Sequence, residues 1–178
     1  MSDTIVNQRH KLLEQANAAL GHSVAADWDW RQGPIGPIDL VTFAAGDPFR
    51  RRLRSDFFKD RAGYRKIGGL SNTPDSPYFY RRYANIVHLM RRAGTLYMRG
   101  GSVPPVAGMV LILDWPEARG RFNFSPDRLG VILATDEQRI TRAVVPMRSP
   151  DGWMVGQARF AAGSPSERAV IGYGDLPA

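Results

Sequence analysis

The chain has 178 residues, of which 43% are hydrophobic and 23% charged, with a net charge of +7 and no cysteine. That composition excludes disulfides, thiolate metal sites and a cysteine nucleophile, and leaves the redox compartment undetermined. No apolar run approaches the ~20 residues a membrane helix needs, so no membrane span is expected, and the length predicts one domain over 1–178.

Arginine supplies almost all of the positive charge, because Lys11, Lys59 and Lys66 are the only lysines. A pI near 10.2 favours acidic partners such as nucleic acid, anionic lipid or teichoic-type polymers. The segment Met1–His10 has neither a basic start nor a continuous apolar stretch. It therefore does not read as a secretory signal, and the expected location is cytoplasmic as written, or the envelope if a leader has been trimmed.

From Thr4 to Leu20, Ile5, Leu12, Leu13, Ala16 and Leu20 recur at helical spacing and Gly21 supplies a stop, which predicts an amphipathic first helix. Asp27-Trp28-Asp29-Trp30-Arg31 reads as a loop over the core. It leads into Gly33-Pro34-Ile35-Gly36-Pro37, a stiff turn before the apolar segment Ile38–Ala45. Proline suits a first helical position, so Pro37 marks a helix start whose free N–H groups and positive dipole end would favour an anion or activate a nucleophile. No nucleophile stands there.

Asp47-Pro48 predicts a second start, after which Phe49, Leu53 and Phe57 fall four apart and Arg50, Arg51, Arg52 and Arg54 take the opposite face. Gly63, Gly68, Gly69, Pro74 and Pro77 read as a long connection, followed by a helix over Tyr80–Ala93 that ends at Gly94. Beyond Gly100, Val- and Ile-rich runs at Met109–Asp114, Leu129–Ala134, Ile140–Val145, Met154–Ala158 and Arg168–Tyr173 predict strands. Helices first and strands second imply an α+β domain, with a helical half at about 1–99 packed on an antiparallel sheet half at about 100–178.

The stretch Pro74–Gly94, with Pro74-Asp75, Tyr80-Arg81-Arg82, Asn85-Ile86 and Arg91-Arg92-Ala93-Gly94, resembles a signature of a bacterial family of unknown function. That family lies within the NlpC-like, papain-fold cell-wall cysteine peptidases. Three further segments carry the resemblance. Val106-Ala107-Gly108-Met109-Val110 is similar to the family's Pro-Gly-Asp-Ile-Val strand start, and Arg128-Leu129-Gly130-Val131-Ile132 to its His-Ile-Gly-Ile-Val. Gly36-Pro37-Ile38-Asp39-Leu40-Val41 matches its Gly-Val-Cys-Thr-Asp-Val-Val.

The resemblance implies an NlpC-type fold. It puts Pro37 or its immediate neighbour where the family has its cysteine, Arg128 where it has the catalytic histidine, and Arg142-Ala143 near a third polar position. Proline offers no nucleophile and arginine stays protonated, so the peptidase chemistry is absent. Asp39 would sit at the helix start and either pair with Arg128, plugging the former site, or leave Arg128 and Arg142 to hold an anion. Trp30, Tyr80, Arg81 and Trp115 are the candidate ligand cleft, with Trp28, Trp153, Tyr78 and Phe124 as further aromatics and the 114–124 stretch as a covering hairpin.

The expectation is thus a catalytically inactive homologue, a binding or regulatory module for a cell-wall peptide or glycan or for a protein partner. It needs no cofactor, and three scattered histidines give no metal-ligand spacing. One alternative is an active cell-wall hydrolase with a relocated nucleophile, Thr42 or Ser71, supported by His88. Another is an arginine-mediated binder of nucleic acid or anionic polymer through Arg50, Arg51, Arg52 and Arg54, with nucleic acid the less favoured partner.

Overall fold

A computed structural model describes residues 3–24, 40–76, 78–114, 128–150 and 152–177. Helix α1 (Asp3–Ala18) buries Leu12 and Ala16. After it, Gly21 takes φ 81 and its N–H bonds to the Val155 carbonyl at 2.9 Å, which docks the helix end on the sheet. Helix α2 (Leu40–Lys59) is two helical pieces broken at Gly46 (φ 70, ψ −164), a left-handed conformation that favours glycine, with Pro48 just beyond. The expected apolar stripe is present, because Phe49, Leu53 and Phe57 are buried, and Arg50, Arg51 and Arg54 are exposed, but Arg52 is half-buried, since it falls three residues after Phe49 at the border of the apolar face.

Helix α3 (Arg61–Gly68) lies where the glycines and prolines predict only a connection. The Asp60 side chain caps it by accepting from the Gly63 N–H at 3.0 Å, and its one buried residue is Tyr64. A polar cap and a single aromatic anchor hold eight residues, too short a segment for apolar periodicity to register. Helix α4 (Tyr83–Arg92) starts three residues later than expected, since 78–81 form turns, and it buries Ile86, Val87, Leu89 and Met90.

The strands are β1 (Ser23–Val24), β2 (Leu96–Met98), β3 (Val110–Leu113), β4 (Arg128–Asp136), β5 (Arg139–Ser149), β6 (Gly152–Arg159) and β7 (Val170–Gly174). They form one sheet in the order β1-β6-β5-β4-β3-β7-β2, with every neighbouring pair antiparallel. Both edge strands come from the helical half of the sequence, and both are very short, which limits the unpaired backbone an edge presents. Helix α5 (Pro165–Ala169) was not expected. Its signal is Ser164-Pro165-Ser166-Glu167, and the Ser164 hydroxyl accepts from the Glu167 N–H at 3.1 Å, half of a capping box.

Strand alternation sends Val110, Ile112, Leu129, Val131, Val144 and Val155 into a core shared with α1, α2 and α4. Leu111, Leu113, Ile132, Ala143 and Val145 point the other way, into a second core with Phe160, Val170 and Tyr173. The sheet is therefore covered on both faces, and β3 is buried at all four positions. Helix α2 packs on α1, α4 and β4, the middle strand of the sheet. Arg9 of α1 binds the buried Asp175 after β7 through two hydrogen bonds, Nε to Oδ1 at 2.6 Å and Nη2 to Oδ2 at 2.8 Å.

Candidate functional site

The first residue of β4 is Arg128. Leu129 and Val131 anchor this strand in the helical core, and Gly130 between them allows β5 to approach: a Cβ there would stand 2.6 Å from Val145 Cγ1 and 2.7 Å from the Val144 carbonyl oxygen. Arg128 is 7% exposed. Its guanidinium lies 4.7 Å from the centre of the Trp153 ring, and Nη1 donates to the Pro146 carbonyl at 3.5 Å. A buried guanidinium on an indole face is held by cation–π attraction and stays charged, so this position can orient an anion or a carbonyl but cannot remove a proton.

The structure does not bring Arg142 to the same place. Arg142 is exposed and pairs with Ala134 of β4 and Arg159 of β6. Ala134 is six residues along the strand from Arg128, roughly 20 Å at the usual rise. The expected two-arginine pocket is therefore not formed by Arg128 and Arg142. The part of β5 beside Arg128 is instead Pro146–Arg148, since Arg148 pairs with Trp153. Pro37, Asp39, Trp28, Trp30, Trp115 and Phe124 lie outside the described residues, and with them the proposed plug and the covering hairpin.

Of the candidate cleft, Tyr80 and Arg81 are described. The Tyr80 carbonyl accepts from the Thr42 hydroxyl at 2.7 Å, which ties the 78–82 turns to the start of α2. The Arg81 guanidinium stands over the Tyr78 ring at 5.7 Å. Thr42 itself is 1% exposed and Ser71 is exposed. Of the relocated-nucleophile reading, the Thr42 hydroxyl donates to the Tyr80 carbonyl and His88 bonds to Asp60.

His88 belongs to a polar network between α2, α3 and α4. Its Nε2 is 2.9 Å from Asp60 Oδ2, and Arg92 bridges both carboxylates, with Nε to Asp56 Oδ2 at 3.0 Å and Nη1 to Asp60 Oδ2 at 3.1 Å. The Tyr64 hydroxyl donates to Asp56 Oδ2 at 2.9 Å. The His88 hydrogen bond, helped by the Gly63 N–H, holds the Asp60 carboxyl below its ordinary value, whereas burial and then the Asp56 contact push the Tyr64 phenol up. These hydrogen bonds join α2, α3 and α4 through their side chains. The signal of this network in the sequence is complementary spacing: Asp56 and Asp60 four apart, His88 and Arg92 four apart.

Asn85, part of the stretch that carries the family resemblance, has a structural role. Its Nδ2 donates to Asn72 Oδ1 at 2.9 Å and to the Phe79 carbonyl at 2.9 Å, and Asn72 Nδ2 returns bonds to Asn85 Oδ1 at 2.8 Å and to the Tyr64 carbonyl at 2.6 Å. Both amides are buried, and together they fasten the 69–82 connection to α4. Gly108, in the Val106–Val110 segment, takes φ 85 against the backbone of Arg9, a contact no side chain would permit.

On the other face of the sheet a cavity of about 50 Å³ is lined by Arg99, Arg139, Glu167 and Tyr173. Glu167 already occupies both arginines, at 3.7 Å and 3.3 Å. Among the described residues no group of three or more His, Asp or Glu side chains is arranged to hold a metal ion, and no helix is long and apolar enough to cross a membrane. The arrangement defines an α+β protein in which a helical layer packs on one face of an antiparallel sheet. Compared with known protein families, curated proteins and solved structures, the chain matches none.

Proposed function

We propose that this chain is a non-catalytic binding module, an inactive relative of the NlpC-like peptidases that recognises a cell-wall peptide or glycan, or a protein partner, beside the start of β4. The observation that carries the reading is Arg128, buried at the first position of β4 and spread over Trp153. In the resembling family this position belongs to the general base, and a permanently charged guanidinium reverses that role from accepting a proton to donating hydrogen bonds. The absence of any cysteine and the packing of α2 against β4 support the same reading. A peptide carboxylate or carbonyl is the natural ligand for a group of this kind.

The test is incubation with soluble peptidoglycan fragments, following new amine and reducing ends, together with calorimetric titration. The expected outcome is binding without turnover, weakened by about tenfold or more in Arg128→Gln, the range for loss of a charged hydrogen bond. Release of new amines, or labelling of a hydroxyl by a fluorophosphonate, would overturn the reading in favour of a relocated nucleophile.

A further inference from the structure

Residues 47–92 hold twelve of the chain's 24 Lys and Arg but four of its 17 Asp and Glu, a net of +8 over 46 residues. The other 132 residues carry twelve basic against thirteen acidic side chains, a net of −1. The charge of the whole chain is thus the charge of one segment, from the second piece of α2 through α4. Two of its four carboxylates, Asp56 and Asp60, are turned inward to Tyr64, His88 and Arg92, which leaves Asp47 and Asp75 as its exposed acids.

Several of the basic groups stand beside aromatic rings. Arg50 and Arg54 lie one turn apart on the exposed side of α2. Both approach the Tyr80 phenol, which burial pushes up and these two guanidinium groups oppose. Two residues earlier Tyr78 is 59% exposed, with Arg81 beside its ring, and Arg82 lies against Gly68 at the end of α3. At the α2–α3 junction Phe58 is 51% exposed and carries the Arg61 guanidinium 5.0 Å from its ring centre.

We propose that this surface binds single-stranded nucleic acid, with phosphates on the arginines of α2 and α3 and bases stacked on Tyr78 and Phe58. The charge asymmetry matches a polyanion. Two exposed rings, each with a guanidinium alongside, are what unpaired bases use and a bare polyanion does not. A lipid surface fits less well: among the described residues of this segment the large exposed aliphatic side chain is Leu70, one anchor against two rings. The proposal rests on residues separate from the β4 site, so either can fail while the other stands.

The experiment is fluorescence anisotropy of a labelled oligothymidylate of about 20 nucleotides, with inorganic polyphosphate as a competitor without bases and phosphatidylglycerol vesicles as a second arm. Four phosphate contacts predict a loss of about fifty-fold in affinity between about 50 and 200 mM salt. Tyr78→Ala should weaken binding about tenfold at either salt, and Arg50→Ser with Arg54→Ser should flatten the salt slope. These side chains are exposed, so unchanged thermal melting will accompany each variant. Absence of oligonucleotide binding at low salt overturns the proposal, as does uptake by the vesicles alone. Equal competition by polyphosphate with no effect of Tyr78→Ala also overturns it, reducing the surface to a generic cation patch.

Discussion

In the helical layer, polar pairs between elements stand beside the apolar core: Asn72 with Asn85, Asp56 with Arg92, Asp60 with His88. Across the sheet, backbone ladders and β-branched or small side chains join the strands, as in Val110, Val131 and Val144 of β3, β4 and β5. The difference follows from geometry. Strands align their own backbone donors and acceptors, so their side chains can be apolar throughout, whereas the short α3 and the 69–82 connection leave backbone groups that only side chains can satisfy. Specific partners therefore matter more in the helical layer and shape-filling matters more in the sheet.

The largest expected effect is at the buried amide pair. Asn85→Ala strands the Asn72 amide and the Phe79 carbonyl, and should lower stability by about 3 kcal/mol in urea titration. The double change Asn72→Leu with Asn85→Leu should recover part of that loss, because removing both partners leaves fewer unsatisfied groups. No recovery would mean that this layer is held by packing, as the sheet is. Val131→Ala in the sheet should cost about 2 kcal/mol by lost burial and cavity formation, with no partner change able to restore it.

The smallest effect is acid sensitivity. Because the folded state holds the Asp60 carboxyl below its ordinary 3.8, its stabilising contribution is present above that value and is lost as pH falls through the lower, folded one. Melting temperature should therefore drop at the acid end in the parent chain, and Asp60→Asn should flatten that limb. An unchanged acid limb in Asp60→Asn would remove Asp60 as the sensitive group.

Much of this was legible in the chain. The α2 stripe of Phe49, Leu53 and Phe57 and the core of each main strand follow from apolar spacing, since a face repeatedly buried leaves a periodic mark. Helices α3 and α5 escaped because eight and five residues carry too few repeats, and their marks are caps, Asp60 and Ser164, not stripes. The candidate site was half legible. Arg128 was singled out through the resemblance of Arg128-Leu129-Gly130-Val131-Ile132 to a family segment, but the grouping with Arg142 that the resemblance implied fails because strand register decides which part of β5 lies beside it.

By itself the sequence determined the helix-then-strand order, the concentration of arginine opposite an apolar stripe, and the lack of a thiol, all of which are properties of composition and local spacing. Only the tertiary structure decided that β7 inserts between β3 and β2, that Asn72 meets Asn85, and that Arg128 lies on Trp153, 25 residues away. Local periodicity records which face of a segment is buried. It does not record what buries it, because that partner is chosen when the chain closes and every polar group must find its match.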